Sequence, residues 1–111
     1  MARILRGEAY WADLNPVRGR ERAGLRPVLV LSNELFNRKS ETAIVMAVTS
    51  QPQRAGFPLT IALPEGALPK PSWLKISQVR TIAIERLGRR IAVLEAEGLS
   101  RALDGLFELI G

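Results

Sequence analysis

The sequence predicts a mainly β protein: a small SH3-like antiparallel β-barrel with a C-terminal α-helix. Three observations predict it. Short stretches rich in Val, Ile and aromatic residues recur along the chain, bounded by Gly, Pro or Asn. A helical period of apolar residues is clear only near the end, over Glu95–Ile110. A length of 111 residues suffices for one core and is too short for two. The expectation is therefore a single domain spanning 1–111, with no repeat, linker or low-complexity tract.

Each element has its own reason. Gly7–Leu14 alternates imperfectly and carries Tyr10 and Trp11, which favour a strand that Asn15-Pro16 stops. Val17–Leu25 is long, basic and punctuated by glycine, the signature of a functional loop. Arg26–Ser32 follows as an apolar strand, and Ser32 or Asn33 can cap a short helical turn over Glu34–Arg38. Thr42–Ser50 is the most apolar segment. It is too short for a helix and rich in Val and Ile, so it reads as a central strand. Phe57–Leu63 is a further strand with Pro58 near its start, where a missing N–H is tolerated. Trp73–Ile84 contains a strand in which Leu74, Ile76, Gln78 and Arg80 alternate with Lys75, Ser77 and Val79, and Gly88–Leu94 is the last strand. In the terminal helix Leu99, Ala102, Leu103, Leu106 and Ile110 share one stripe and Glu97, Arg101, Asp104 and Glu108 the other. Gly98 and Gly105 each cost that helix about 1 kcal/mol relative to Ala, so tertiary packing must hold it. Trp11 and Trp73 read as core residues rather than as platforms for stacked bases.

Composition narrows the chemistry. With no cysteine and no histidine, thiol nucleophiles, disulfides, Zn–thiolate sites and imidazole acid–base catalysis are excluded. The acidic residues form no close cluster, so the expectation is no metal and no cofactor. The N-terminus lacks the apolar stretch of a signal peptide, and no run reaches the roughly 18 apolar residues of a membrane span. A soluble, cytoplasmic protein is expected. The formal charge is +5. Of 16 basic residues only Lys39, Lys70 and Lys75 are lysine, which leaves 13 arginines. Arginine donates in a planar fork suited to phosphate, so a polyanionic partner is expected.

Three spaced motifs then carry a resemblance. Gly7-Glu8, Asp13-Leu14-Asn15-Pro16 and Glu21-Arg22-Ala23-Gly24-Leu25-Arg26-Pro27, ending near Ser32, resemble the opening of the MazF/PemK family of toxin endoribonucleases. Downstream, Val48-Thr49-Ser50 and Gln78-Val79-Arg80-Thr81 resemble two further motifs of that family, with Glu85-Arg86-Leu87 following in place. The resemblance implies the CcdB/PemK-like barrel and metal-independent cleavage of single-stranded RNA, with a 2′,3′-cyclic phosphate and a 5′-hydroxyl as products. It also implies a homodimer and neutralisation by a cognate acidic antitoxin. It assigns the catalytic pair to Arg26 and Thr49.

The residue chemistry accords with that assignment. Attack by a ribose 2′-OH on phosphorus builds negative charge that a fixed cation stabilises. Arg26 precedes Pro27, which holds it extended. Thr49 ends a strand and brings a hydroxyl. Glu21 is a candidate base, or an orienting partner for an arginine. Arg18, Arg20, Arg22, Ser50, Ser77, Gln78 and Arg80 are the candidate RNA-binding residues. Some family members carry a histidine and an aspartate where this chain has Arg20 and Ser77, so a scheme built on that pair is closed here. Read without the family pattern, Arg26 suits a structural ion pair with Glu21, and Thr49 a strand end that satisfies backbone. Two other functions fit the same fold: a non-enzymatic CcdB-like gyrase poison acting through the end of the terminal helix, and a plain RNA-binding barrel.

Overall fold

A computed structural model of the chain describes residues 3–14 and 24–111. Six antiparallel strands form one sheet: β1 (Glu8–Asp13), β2 (Leu25–Val30), β3 (Thr42–Thr49), β4 (Thr60–Ala62), β5 (Trp73–Ala83) and β6 (Leu87–Val93). Their spatial order is β4-β5-β3-β2-β1-β6. Helix α1 (Glu34–Ser40) joins β2 to β3, and helix α2 (Ala96–Ile110) closes the chain. The mainly β architecture with a terminal helix is the one expected.

Alternation on the central strands feeds two apolar clusters. Leu29, Leu31, Met46 and Val48 meet Leu74, Ile76, Leu94 and Ala102 on one side, with Leu99 and Leu106 of α2 packed against them. Val28, Val30, Ala43 and Val45 meet Tyr10, Ala12 and Ile82 on the other. Residues of opposite parity on β2 and β3 thus enter opposite cores, as a period of two requires.

Several boundaries differ from the expected ones, each for a local reason. The first strand begins at Glu8 because Gly7 has a φ of 93°, which a strand residue with a side chain does not adopt. Asn33, not Ser32, caps α1, its side chain accepting from the Phe36 N–H. Ser32 is buried instead and bonds to Asn37. The predicted strand over Phe57–Leu63 shrinks to Thr60–Ala62, since the residues before it form a turn in which the Leu59 and Thr60 N–H groups donate to the Gly56 carbonyl at 2.9 and 3.0 Å.

The long strand β5 corrects the expected alternation. Met46 faces Val79 but Ala47 faces Lys75, so a bulge lies over Ile76–Gln78. Leu74 and Ile76 join the α2-side cluster, whereas Arg80 stands opposite Val45 of the other cluster. Leu74, Ile76, Gln78 and Arg80 therefore do not share one face.

The helix stripe is also rotated from the expected one. Ala102 and Gly105 are its buried residues, while Leu103 is 37% and Ile110 77% exposed. The two glycines explain the rotation. A β-carbon on Gly105 would lie 2.6 Å from Ile76 Cδ1, and one on Gly98 3.1 Å from Leu94 Cγ. Ala102 and the glycines bring α2 close to the sheet, with Leu99 and Leu106 of the expected stripe packed beside them.

Candidate active site

Strand order brings the ends of β1, β2, β3 and β6 together. Val28 stands opposite Ala47. Continuing that antiparallel register two residues along each strand sets Arg26 opposite Thr49. On its other side Arg26 faces Ala12 of β1. Cross-strand neighbours point to the same side of a sheet, so Arg26 and Thr49 share a face. Both line a cleft of about 570 Å³ together with Trp11, Pro27, Ser50 and Lys70. Arg89 and Arg90 of β6 line it as well.

The local bonds say what each group offers. Arg26 is exposed, and its Nη1 donates to the Leu25 carbonyl at 2.8 Å. Pro27 behind it has no N–H to give, which leaves the extended backbone of β2 to hold the arginine at the strand's entrance. Thr49 closes β3, and its hydroxyl oxygen accepts from the Gln51 N–H at 3.1 Å. A hydroxyl that accepts one bond keeps its own proton to donate. Cation and hydroxyl at one rim form a pair of donors suited to a phosphate oxygen.

The other expected site residues are distributed differently. Ser50 lines the same cleft. Ser77 and Gln78 are exposed on the β5 bulge and do not line it. Arg80 is on the Thr49 face but opposite Val45, four residues or about 13 Å along β3. Arg18, Arg20, Glu21 and Arg22 lie outside the described residues. Trp11 is 43% exposed in the cleft rather than in the core, and Trp73 is half-buried.

Sequence reasoning missed three cations on this cleft, Lys70, Arg89 and Arg90. Arg90 is tied to a buried carboxylate. Its Nη1 donates to Glu8 Oε2 at 2.9 Å. Glu8 Oε1 accepts from the Leu5 N–H at 2.8 Å and from the Tyr10 hydroxyl at 2.7 Å. Burial pushes the Glu8 carboxyl up, but the bonds from Tyr10, Leu5 and Arg90 outweigh it and hold the group below its ordinary value. Burial raises the Tyr10 hydroxyl well above its ordinary 10.0, and the Glu8 hydrogen bond and charge add to that. The signal available in the sequence was the Arg89-Arg90 pair in a strand next to Glu8, but pairing of β6 with β1 is not readable from composition.

A larger cleft of about 780 Å³ lies elsewhere, between β4 and the start of α2, lined by Phe57, Ile61, Glu95 and Arg101. It contains none of the expected site residues. No helix among the described residues is long and apolar enough to cross a membrane.

Comparison with known proteins identifies the family. The chain is 39% identical over 105 residues to the endoribonuclease EndoA of Bacillus subtilis, covering 93% of this chain and 90% of that protein. The crystal structure of MazF from Deinococcus radiodurans superposes with a TM-score of 0.80 at 26% identity, covering 100% of this chain and 99% of that one. A mycobacterial endoribonuclease, solved in complex with its cognate antitoxin, has the same fold at a TM-score of 0.80 and 21% identity, covering 97% and 95% of the two chains. Residues 5–110 match the PemK-like, MazF-like toxins of type II toxin-antitoxin systems, and the chain belongs to that family.

Proposed function

We propose that this chain is a sequence-selective endoribonuclease that cleaves single-stranded RNA, mRNA included, as the toxin of a toxin–antitoxin pair. One toxin domain acts in the cytoplasm as a homodimer and is neutralised by an acidic antitoxin that competes for the same cationic surface. The observation that carries the reading is that Arg26 and Thr49, at the ends of adjacent strands, both line one cleft. Membership of a toxin family whose relative EndoA is an endoribonuclease supports it.

The reaction needs no group beyond the RNA and the protein. The 2′-oxygen gives up its proton and forms a bond to the adjacent phosphorus. The bond from phosphorus to the 5′-oxygen breaks, and that oxygen takes a proton. A 2′,3′-cyclic phosphate and a 5′-hydroxyl result. Arg26 stabilises the charge that builds on the non-bridging oxygens, and the Thr49 hydroxyl donates to the same phosphate. A guanidinium stays protonated at neutral pH, so Arg26 acts through its charge and donors, not as a resting base. Glu21 remains the candidate for base or for orienting an arginine.

Incubation of the purified protein with a long mixed-sequence RNA, in chelator, tests the reading. The expected result is discrete cuts with cyclic-phosphate ends. Arg26→Ala is expected to lower kcat by about 100-fold or more, the scale of losing one preorganised donor, and Thr49→Ala by about tenfold, the scale of one ordinary hydrogen bond. RNA left intact by the wild-type chain overturns the proposal, and arrested gyrase in the same preparation identifies the poison reading instead.

A further inference from the structure

We infer that the cleft holds a second phosphate position at Arg90, and that buried Glu8 is the positioning residue that fixes Arg90 for it. The inference rests on the endoribonuclease reading and names a further subsite for the same strand of RNA.

Three features point to it. First, Arg90 lines the same cleft as Arg26 and Thr49. Second, the two arginines share a face of the sheet. Arg90 stands opposite Tyr10 and Arg26 opposite Ala12, and Tyr10 and Ala12 are two residues apart on β1. Two strand spacings across and two residues along put their backbones about 12 Å apart, a distance one bound strand can bridge. Third, Arg90 is held from behind. Its side chain is 58% exposed, whereas that of its partner Glu8 is 5% exposed and takes two more bonds from Tyr10 and the Leu5 backbone.

That third feature separates this arginine from an ordinary surface cation. A free arginine surrenders rotamer freedom when it grips a phosphate. Here a carboxylate that cannot turn takes up one nitrogen. A guanidinium has five N–H donors, and one committed to Glu8 leaves the others for a ligand. The Tyr10 hydroxyl and the Leu5 N–H occupy Oε1, so Oε2 is the oxygen left for Arg90. Lys70 and Arg89 on the same cleft add positive potential, with no side-chain anchor of this kind among the described residues. The ligand is therefore a further phosphodiester of the same bound strand whose scissile phosphate sits at Arg26 and Thr49.

Kinetics on an RNA oligonucleotide bracketing a mapped cut site test the subsite. Arg90→Ala is expected to raise KM about tenfold, the worth of one charged hydrogen bond, while kcat changes less than about threefold. Arg90→Lys, which keeps the charge but loses the fork, is expected to recover part of the KM. Glu8→Gln is expected to raise KM about threefold to fivefold, and to add nothing when combined with Arg90→Ala, since it acts through that side chain. Replacing single phosphates beside the cut with neutral methylphosphonates is expected to reproduce the Arg90→Ala loss at one position and to be silent there in the Arg90→Ala protein. Arg90→Ala also takes one partner from the buried Glu8 carboxylate, so its melting temperature is measured alongside KM, and Arg90→Lys, which keeps the charge, separates binding from folding. An unchanged KM in Arg90→Ala, in a protein that still cuts RNA and still depends on Arg26, overturns the subsite and leaves the endoribonuclease reading intact. Additive Glu8→Gln and Arg90→Ala effects on KM overturn the positioning role. No cleavage by the wild-type protein overturns the underlying reading itself.

Discussion

At Gly105 the fold depends on a missing side chain. An alanine there gains about 1 kcal/mol of helix propensity. Its β-carbon would meet Ile76 Cδ1 at 2.6 Å and the Pro58 carbonyl at 3.3 Å. Ile76 is fully buried, so its end can move only by displacing core neighbours. Gly105→Ala is expected to destabilise by about 1–2 kcal/mol net, measured by urea denaturation. Gly98→Ala, whose tightest neighbour is Leu94 Cγ at 3.1 Å, is expected to stay within about 0.5 kcal/mol of the parent. Glu8 gives a second prediction at this scale. Its carboxyl lies below the ordinary value of 4.5, so the folded protein binds that proton less tightly than the unfolded chain does. Its contribution is fully present above the unfolded value and is lost as pH falls through the lower folded value. The melting-temperature advantage of the parent over Glu8→Gln is therefore expected to hold at neutral pH and to shrink below about pH 4.5. A constant difference across that range would remove the charge from the account.

Helix α1 shows how an element is tied down by one polar side chain. Asn37 is 2% exposed, and its Nδ2 donates to the Ile4 carbonyl at 2.8 Å and to the Ser32 carbonyl at 3.1 Å. The Ser32 hydroxyl donates to Asn37 Oδ1 and accepts from the Ile44 N–H. The helix thus joins the segment before β1 to the end of β2 and the start of β3. Asn37→Ala would strand two buried carbonyls and a hydroxyl, at an expected cost of about 2–4 kcal/mol in denaturant titration. Asn33→Ala removes only an exposed cap and is expected to cost about 1 kcal/mol. The bulge on β5 is the other device at this scale. It lets Leu74 and Ile76 serve the α2-side core while Val45 keeps Arg80 opposite it on the far side.

At the scale of the whole molecule, strand order gathers four cations where the strand ends meet. Arg26, Lys70, Arg89 and Arg90 come from three separated parts of the sequence and line one cleft. A strand of RNA lying there releases counterions from each phosphate it brings to a cation. Binding of an oligonucleotide with a 2′-deoxy residue at the cut, which cannot react, is expected to weaken steeply with salt. The logarithmic slope is expected to fall by about 0.7 in Arg90→Ala, one phosphate contact for a single strand. Fluorescence anisotropy at several salt concentrations measures it. A slope that Arg90→Ala leaves unchanged would place that cation outside the binding track.

The local order of residues by itself determined the elements: alternation marked the strands, the 3.6-residue period marked α2, and Pro27 and Thr49 marked the ends that carry the candidate pair. Those signals are short-range, and so is what they decide. Tertiary structure alone decided the β5 bulge, the glycine-lined face of α2, the Asn37 network and the anchoring of Arg90 by Glu8 across 82 residues of sequence. Such features follow from which strand lies beside which. That is settled by burial of two apolar faces at once, a cooperative outcome that no single segment encodes.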